Sequence, residues 1–176
     1  ALDLRPASAE PTATGSVDGI LDLIGRLEAG GHTYAVEGNT YFDISTWDGF
    51  GSMTGLDEAT LLAYAADRGG HPDDPRQRDP LEFVLWQASA EGETSWDSPF
   101  GPGRPGWHIE CVAMSLDLLG DGFDIHGGGD DLAFPHHENE RAECLGCGRP
   151  FARLWVHNGM VQVGTEKMSK SLGNFW

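Results

Sequence analysis

Residues 109–125 have the sequence IECVAMSLDLLGDGFDI and contain the clearest fold signal of the chain. The apolar positions of the first part recur at helical spacing, and Gly120 and Gly122 then separate this helix from a short apolar strand at residues 123–125. A glycine-rich turn follows, then a helix start at Pro135 and a strand around residues 154–157. This order of helices and strands after residue 105 predicts parallel α/β structure.

The hundred residues before this part predict α+β structure instead. Apolar residues at helical spacing indicate an amphipathic helix with Ser16 as its N-cap and Gly30-Gly31 as its end. Residues 33–36 and 40–44 flank Glu37-Gly38-Asn39 and indicate a hairpin. The apolar face of the helix comprises Val17, Ile20, Leu21, Ile24 and Leu27.

The remaining elements of the first hundred residues are less regular. A short helix is expected at residues 56–66, followed by a connector, residues 67–80, that is rich in Gly, Pro, Asp and Arg. Residues 81–86 are expected to form a short buried strand or turn, and residues 95–105 a loop. No internal repeat occurs in the sequence, so we expect no repeat architecture.

The composition limits the range of functions. Eleven Lys and Arg against 28 Asp and Glu give the 176-residue chain a formal charge of −17, which argues against a general binder of phosphate backbones or anionic membranes. No apolar run approaches the about 20 residues that a membrane span needs, and the apolar fraction of 39% is typical of a folded protein. Three cysteines, an odd number, argue against a disulfide scaffold. We therefore expect a cytoplasmic protein with no membrane partner.

A first group of residues has the composition of a metal site. His136 and Glu140 are four residues apart, so a helix beginning at Pro135 places both on one face. Together with Cys111 they offer one sulfur, one nitrogen and one oxygen ligand, a set suited to zinc. Three ligands leave a position for water, substrate or a further residue. In the alternative interpretation, Cys111 is a small buried residue and the histidines are surface or capping groups.

A second group lies in the loop at residues 166–171, which contains the only two lysines of the chain, Lys167 and Lys170. A loop with two ammonium groups and several hydroxyls can bind a polyphosphate during phosphoryl or nucleotidyl transfer. An ordinary basic surface loop is the alternative, but no general background of surface lysines supports it.

Two further patterns carry weaker signals. Glycines 127–129 follow the predicted strand, where they would let a nucleotide approach the backbone, and Asp131 could then bind a ribose hydroxyl. Cys144 and Cys147 form a C-x-x-C pair with no second pair downstream. Two free thiols in a loop are a simpler interpretation than a metal or redox site.

These groups occur within five motifs that closely resemble the cysteinyl-tRNA synthetases, which are class I aminoacyl-tRNA synthetases. The shared motifs are GRPGWHIEC at 103–111, FDIHGGG at 123–129, FPHHENE at 134–140, WVHNG at 155–159 and EKMSKSLGN at 166–174. The lysine loop is similar to that of class I synthetases in general, whereas the set Cys111, His136 and Glu140 is similar to that of enzymes that activate cysteine.

The resemblance implies a fold and a domain organisation. Residues 101–176 would form the C-terminal half of a Rossmann-like catalytic domain of the α/β class, ending in the lysine loop. Residues 33–100 would form the α+β connective insertion, and residues 1–32 a linker and the amphipathic helix. No His-x-Gly-His motif occurs in the sequence. We therefore expect a fragment that lacks the N-terminal half of the catalytic domain and the anticodon-binding region, and that cannot complete cysteine activation alone.

The resemblance also implies how cysteine is selected. Zn2+ would be held by Cys111, His136 and Glu140, together with a cysteine from the first half of the catalytic domain. The thiolate of the substrate would join the metal, which excludes serine because a hydroxyl is a poor zinc ligand. Trp107 would form a wall of the amino-acid pocket, and His126 would lie near the substrate or behind the metal ligands.

For the nucleotide, the resemblance implies ATP with Mg2+ as the co-substrate. Lys167 and Lys170 would be catalytic, because they would stabilise the pyrophosphate as the cysteine carboxylate attacks the α-phosphate. The product would be cysteinyl-adenylate, and tRNA(Cys) would be bound mainly by parts outside this chain. The residues expected on the nucleotide side are Gly127, Gly128, Gly129, Asp131, His157, Asn158, Lys167, Met168, Ser169, Lys170 and Ser171.

Two alternatives remain open from the sequence. A ligase that joins cysteine to glucosaminyl-inositol in mycothiol synthesis resembles the synthetases over the same motifs. A catalytically incomplete synthetase-like protein that only binds cysteine or zinc would also carry these residues.

Overall fold

The computed structural model of the protein describes residues 5–174. Within this range, four α-helices and eight short strands form the regular structure, and they follow one another in chain order. They are α1 (Val17–Ala29), β1 (Thr33–Val36), β2 (Asn39–Phe42), α2 (Glu58–Asp67), β3 (Phe83–Ala88), β4 (Gly103–Pro105), α3 (Trp107–Leu119), β5 (Ile125–Gly129), α4 (Glu138–Gly146), β6 (Leu154–Asn158), β7 (Gln162–Val163) and β8 (Glu166–Lys167).

The first part of the chain forms an antiparallel sheet with the order β1-β2-β3-β4. The predicted hairpin is confirmed, but its loop is shorter than expected because Asn39 already belongs to β2. Glu37 and Gly38 both have positive φ angles, 52° and 78°, which is the geometry of a two-residue type I′ turn. The hairpin therefore closes over two residues rather than three.

Strands β3 and β4 differ from the expectation. The predicted strand at residues 81–86 lies two residues later, at Phe83–Ala88, and the predicted loop at 95–105 ends in strand β4. Strand β4 pairs with β3 at the edge of the sheet, where a proline is tolerated because one side of the strand needs no donors. The Gly and Pro residues of this segment predicted a loop, and the short edge strand was therefore missed.

The second part contains the predicted parallel pair. Strands β5 and β6 are parallel and joined through α4, with Ile125 opposite Leu154 and Gly129 opposite Asn158. The glycine run was expected to be a turn after a strand at 123–125, and this is wrong because Gly127–Gly129 form the strand itself. A Cβ on Gly128 would lie 3.0 Å from Cε1 of His137, so the glycine allows the following turn to pack directly on the strand.

The helix expected from Pro135 begins with an irregular turn. Ala133–His137 form a π-type turn in which Phe134 has extended angles, φ −144° and ψ 135°, as the residue before a proline prefers. The regular α4 helix begins at Glu138. The predicted proximity of His136 and Glu140 is nevertheless confirmed. The irregular turn continues directly into α4, so the two side chains lie one helical turn apart, with Nε2 of His136 3.2 Å from Oε1 of Glu140.

The larger of two hydrophobic clusters joins the two parts. Helix α1 buries its apolar face against α3 and α4, and the inner face of the antiparallel sheet completes the core. Its fully buried members include Ile20, Ile24, Leu27, Leu85, Trp86, Ile109 and Val112. The parallel pair instead leaves Ile125, Leu154 and Val156 exposed. Within residues 5–174, no helix combines the length and apolar character of a membrane span.

Candidate active site

The structure brings the three predicted metal ligands together. Cys111 lies in α3, while His136 lies in the turn before α4 and Glu140 in its first turn. The nearest ligand atoms of the three residues all lie within 4.8 Å of one another. A second group, in which His126 and His137 surround the same glutamate, meets the same distance. Glu140 is therefore the centre of a cluster that the packing of α3, α4 and β5 produces.

The donor set and its surroundings fit a metal ion. Glu140 is fully buried, and its two carboxylate oxygens lie 2.8 Å from Nε2 of His126 and 3.2 Å from Nε2 of His136. Apart from these two imidazole contacts, neither oxygen has a donor among the described residues. A buried carboxylate without donors is costly, and a cation coordinated by these oxygens would remove that cost. Sulfur, imidazole and carboxylate ligands are those of zinc sites.

The histidines of the cluster are not surface groups. His136 and His137 are 5% and 1% exposed, which contradicts the alternative that they are surface residues. His137 does occupy the N-cap position of α4, but its side chain makes no capping hydrogen bond. Burial lowers the pKa of His137 to about 4, so this ring is neutral at neutral pH. Burial alone would raise the pKa of Glu140, but the adjacent His126 and His136 rings outweigh it and lower this pKa.

Cys111 is a protonated thiol in the absence of a metal. Burial, followed by the negative charge of Glu140, raises the pKa of Cys111 above its ordinary value. Because zinc binds the thiolate, metal binding at this site must release the thiol proton.

Neighbouring rings hold the cluster in place. Trp107, at the first position of α3, stacks on His136 with ring centroids 4.3 Å apart and an interplanar angle of 22°. Nδ1 of His108 lies 2.7 Å from Nδ1 of His136, and Nδ1 of His137 lies 2.7 Å from Nε2 of His157. The sequence predicted roles for Trp107, His136 and His157 but none for His108 or His137. The only sequence signal for these two histidines was that His108 follows Trp107 and His137 follows His136.

The residues expected on the nucleotide side lie around the ends of β5 and β6. Gly129 pairs with Asn158 at the carboxyl ends of both strands, where ligands of open α/β sheets bind. A Cβ on Gly129 would displace the ends of the Met160 and Asp131 side chains, so the glycine leaves space for both beside the strand. His157 precedes Asn158 on β6 and is held by His137.

The lysine loop is attached to this region through one ion pair. Strands β7 and β8 form a small hairpin, at the end of which Nζ of Lys167 lies 2.6 Å from Oδ2 of Asp131. Asn174 closes the loop by accepting from the Ser169 amide, 2.8 Å, and donating to the Lys167 carbonyl, 3.1 Å. Lys170 is exposed and has no ion pair within the described residues. The structure thus brings Lys167 to Asp131 and leaves Lys170 free, while Met168, Ser169 and Ser171 lie between or beside the two lysines.

Cys144 and Cys147 are separate from this cluster. Their thiols donate to carbonyl oxygens, Cys144 to Arg149 at 3.3 Å and Cys147 to Leu23 at 3.4 Å. Burial raises the pKa of each thiol to about 12, which makes both poor nucleophiles. This arrangement favours the interpretation as two free thiols, but their expected loop position is wrong, because Cys144 lies in α4 and Cys147 is the C-cap residue of that helix.

Comparison with known proteins assigns the chain to a family. The family model described as the tRNA synthetases class I (C) catalytic domain matches residues 1–176. The chain belongs to this family. Membership agrees with the mixed α/β structure and confirms the resemblance that the five motifs indicated.

Individual members of the family are similar over nearly the whole chain. The sequence is 50% identical over 177 residues to a protein of Desulforamulus reducens named cysteine--tRNA ligase, covering 100% of this chain and 36% of that protein. Proteins with the same name are 52% identical in a Picosynechococcus species and 50% identical in Aquifex aeolicus. They are covered to 38% and 34% of their lengths, so the chain spans about a third of these class I relatives. None of these names favours the amino-sugar ligase.

Proposed function

We propose that this chain forms the cysteine-selecting and nucleotide-binding part of a cytoplasmic cysteine--tRNA ligase. The observation that carries the proposal is the buried group of Cys111, His136 and Glu140, whose ligand atoms lie within 4.8 Å of one another. The relatives' name and the family membership support the same reaction class. The β5–α4–β6 unit supports a Rossmann-like half, because its parallel strands end at the proposed nucleotide site.

In this proposal the metal residues select the amino acid. When bound by Cys111, His136 and Glu140, Zn2+ supplies a soft acceptor that prefers a thiolate over a hydroxyl. Trp107, half exposed and stacked on His136, forms a wall of the amino-acid pocket. His126 lies behind the metal ligands with its Nε2 beside Glu140. Cysteine is thereby distinguished from serine by chemistry rather than size, which removes the need for editing.

The nucleotide residues would bind ATP with Mg2+. The glycines of β5 allow close approach of the nucleotide, and Asp131, His157 and Asn158 lie at the strand ends that would face the adenosine. The cysteine carboxylate attacks the α-phosphorus, and pyrophosphate leaves. Lys170, with Lys167, stabilises the charge that develops on this leaving group. The ribose hydroxyl at the end of tRNA(Cys) then attacks the carbonyl of cysteinyl-adenylate and AMP leaves.

The metal part of the proposal is tested by zinc content. The zinc stoichiometry of the wild-type chain is compared with that of Cys111→Ser, and Cys147→Ser serves as a matched thiol control outside the cluster. We expect about one zinc ion per chain in the wild type and in Cys147→Ser, and a large loss in Cys111→Ser. Unchanged zinc in Cys111→Ser would reject the ligand assignment.

The amino-acid part is tested with the zinc-loaded chain. Titration calorimetry with cysteine and with serine compares the two ligands under the same conditions. We expect measurable binding of cysteine and at least about 100-fold weaker binding of serine, because a hydroxyl cannot replace the thiolate. Equal binding of both amino acids would contradict selection by the metal.

A further inference from the structure

His108 contacts the proposed metal ligand His136 through a single pair of nitrogens. The two Nδ1 atoms lie 2.7 Å apart, and the residues are 9% and 5% exposed. Two neutral imidazoles can be this close only if one nitrogen carries a proton and the other presents its lone pair. The contact therefore fixes the tautomers of both rings relative to each other.

Aromatic rings on either side set the orientation of His108, which is buried. His108 is enclosed by Phe83, whose ring stands edge-on at 5.6 Å and 89°, and by Trp107. The packing of α3 against β3 therefore aims the Nδ1 atom of His108 at His136, and this is the only hydrogen-bond partner of His136 Nδ1 among the described residues.

The opposite nitrogen of His136 faces the metal residues. Its Nε2 lies 3.2 Å from Oε1 of Glu140, on the side of the ring that Cys111 and Glu140 share. A nitrogen that binds a metal must offer a lone pair, so Nε2 cannot carry the proton of the ring. The proton must then reside on Nδ1, where His108 is the acceptor.

We propose that His108 is a positioning residue, whose unprotonated Nδ1 accepts the Nδ1–H of His136 and thereby holds His136 in the tautomer and orientation that bind the metal. This inference rests on the proposed zinc site and goes beyond it. Histidine ligands usually donate their second N–H to a carboxylate or a carbonyl, and here the imidazole of His108 takes that place. Its Nε2 keeps the remaining proton.

Two substitutions of His108 distinguish the effect of losing its hydrogen-bond acceptor from the effect of losing its packing volume. Asn carries an oxygen at about the position of Nδ1 and retains the acceptor, whereas Phe retains the ring and removes the acceptor. Zinc affinity is measured by competition with a chromophoric chelator, and thermal unfolding without metal reports whether each variant folds. We expect His108→Phe to lose about 10- to 100-fold in affinity, as for other partners of metal ligands. His108→Asn should stay within a few-fold of the wild type.

The outcomes distinguish this inference from the proposed function. If the wild type binds zinc and His108→Phe binds it equally well, only the role of His108 is overturned. Equal losses in the Phe and Asn variants would also overturn it, because packing rather than the acceptor would then matter. If the wild type binds no zinc, the metal centre itself is wrong, and the role of His108 with it.

A spectrum of the wild type decides the matter even if His108→Phe does not fold. Long-range 15N–1H correlation of the imidazoles distinguishes protonated from unprotonated nitrogens in the zinc-bound chain. We expect a protonated Nδ1 in His136 and an unprotonated Nδ1 in His108. The reverse assignment would overturn the inference.

Discussion

The candidate metal cluster around Glu140 lies inside the protein, whereas the lysine loop at residues 166–171 lies on its surface. Glu140 is fully buried between α3, α4 and β5, while Lys167 and Asp131 form their ion pair with side chains that are 53% and 37% exposed. The cluster is fixed by packing before any ligand arrives, and its charges are desolvated. The loop is held by a few polar contacts and keeps Lys170 free. In the proposed function, amino-acid selection would therefore depend on the buried cluster, and phosphate binding on the exposed loop.

The largest effect is expected where a buried ligand is removed. Glu140→Gln removes the carboxylate that both metal groups share, so zinc affinity should fall by more than about 100-fold, beyond the effect of an outer partner. In the wild type, zinc should raise the unfolding temperature and a chelator should reverse the increase. Lys170→Ala, in the loop, should leave this zinc-dependent increase unchanged. If zinc still raises the unfolding temperature of Glu140→Gln, zinc binding does not depend on the buried cluster, and the proposed difference between the two regions is wrong.

A smaller effect is expected from a buried acid beside the cluster. Glu143 is fully buried, and neither carboxylate oxygen has a partner among the described residues. Burial, followed by the charge of Glu140, raises the pKa of Glu143 well above its ordinary value. Glu143→Gln should therefore increase the free energy of unfolding of the metal-free chain by about 1–3 kcal/mol near neutral pH. Chemical denaturation measures this change.

The pH dependence of this gain has a definite sign. Because the folded pKa of Glu143 is higher than the unfolded value of about 4.3, its contribution to stability is complete below pH about 4.3 and is lost as the pH rises toward the folded pKa. The advantage of Glu143→Gln should grow over the same range. Glu138→Gln is the control, since Glu138 is equally buried but accepts the Met53 amide at 2.9 Å. An equal gain in Glu138→Gln would show that buried carboxyls here are costly regardless of their partners.

In the lysine loop, the expected effect concerns nucleotide binding. Lys170→Ala should weaken binding of Mg–ATP by about tenfold, which corresponds to one charge-assisted hydrogen bond. A fluorescent ATP analogue measures the change. Arg153→Ala removes an exposed cation outside the loop and should have little effect. If both variants weaken binding equally, the loop contributes only general positive charge.

The smallest effect is expected from the ion pair that attaches the loop. Asp131→Asn removes the partner of Lys167, and an exposed pair of this kind contributes less than about 1 kcal/mol. Amide exchange of Met168, whose N–H donates to the Val161 carbonyl at 2.8 Å, should accelerate by about two- to fivefold. Asp130→Asn is the neighbouring control and should not change the rate. Exchange as slow as in the wild type would mean that the hairpin, rather than the ion pair, holds the loop.

The sequence predicted those features that depend on spacing within one element. The i and i+4 spacing of His136 and Glu140 placed them together, and apolar periodicity located α1 and α3. Spacing failed for the glycine run, because hydrogen bonding to β6 makes a strand of residues whose local preference is a turn. It also failed for β4, which exists only through pairing with β3.

By itself, the sequence determined the family, the lysine loop and the candidate metal ligands, since these depend on residue identity and order. Only the tertiary structure decided which groups surround those ligands. His108 meets His136 across 28 residues, and His137 meets His157 across 20. Periodicity along a chain describes one helix or strand, whereas contacts between elements arise from how their side chains pack. The residues that contact the candidate metal ligands could therefore not be predicted from the sequence, because those contacts depend on how the helices and strands pack together.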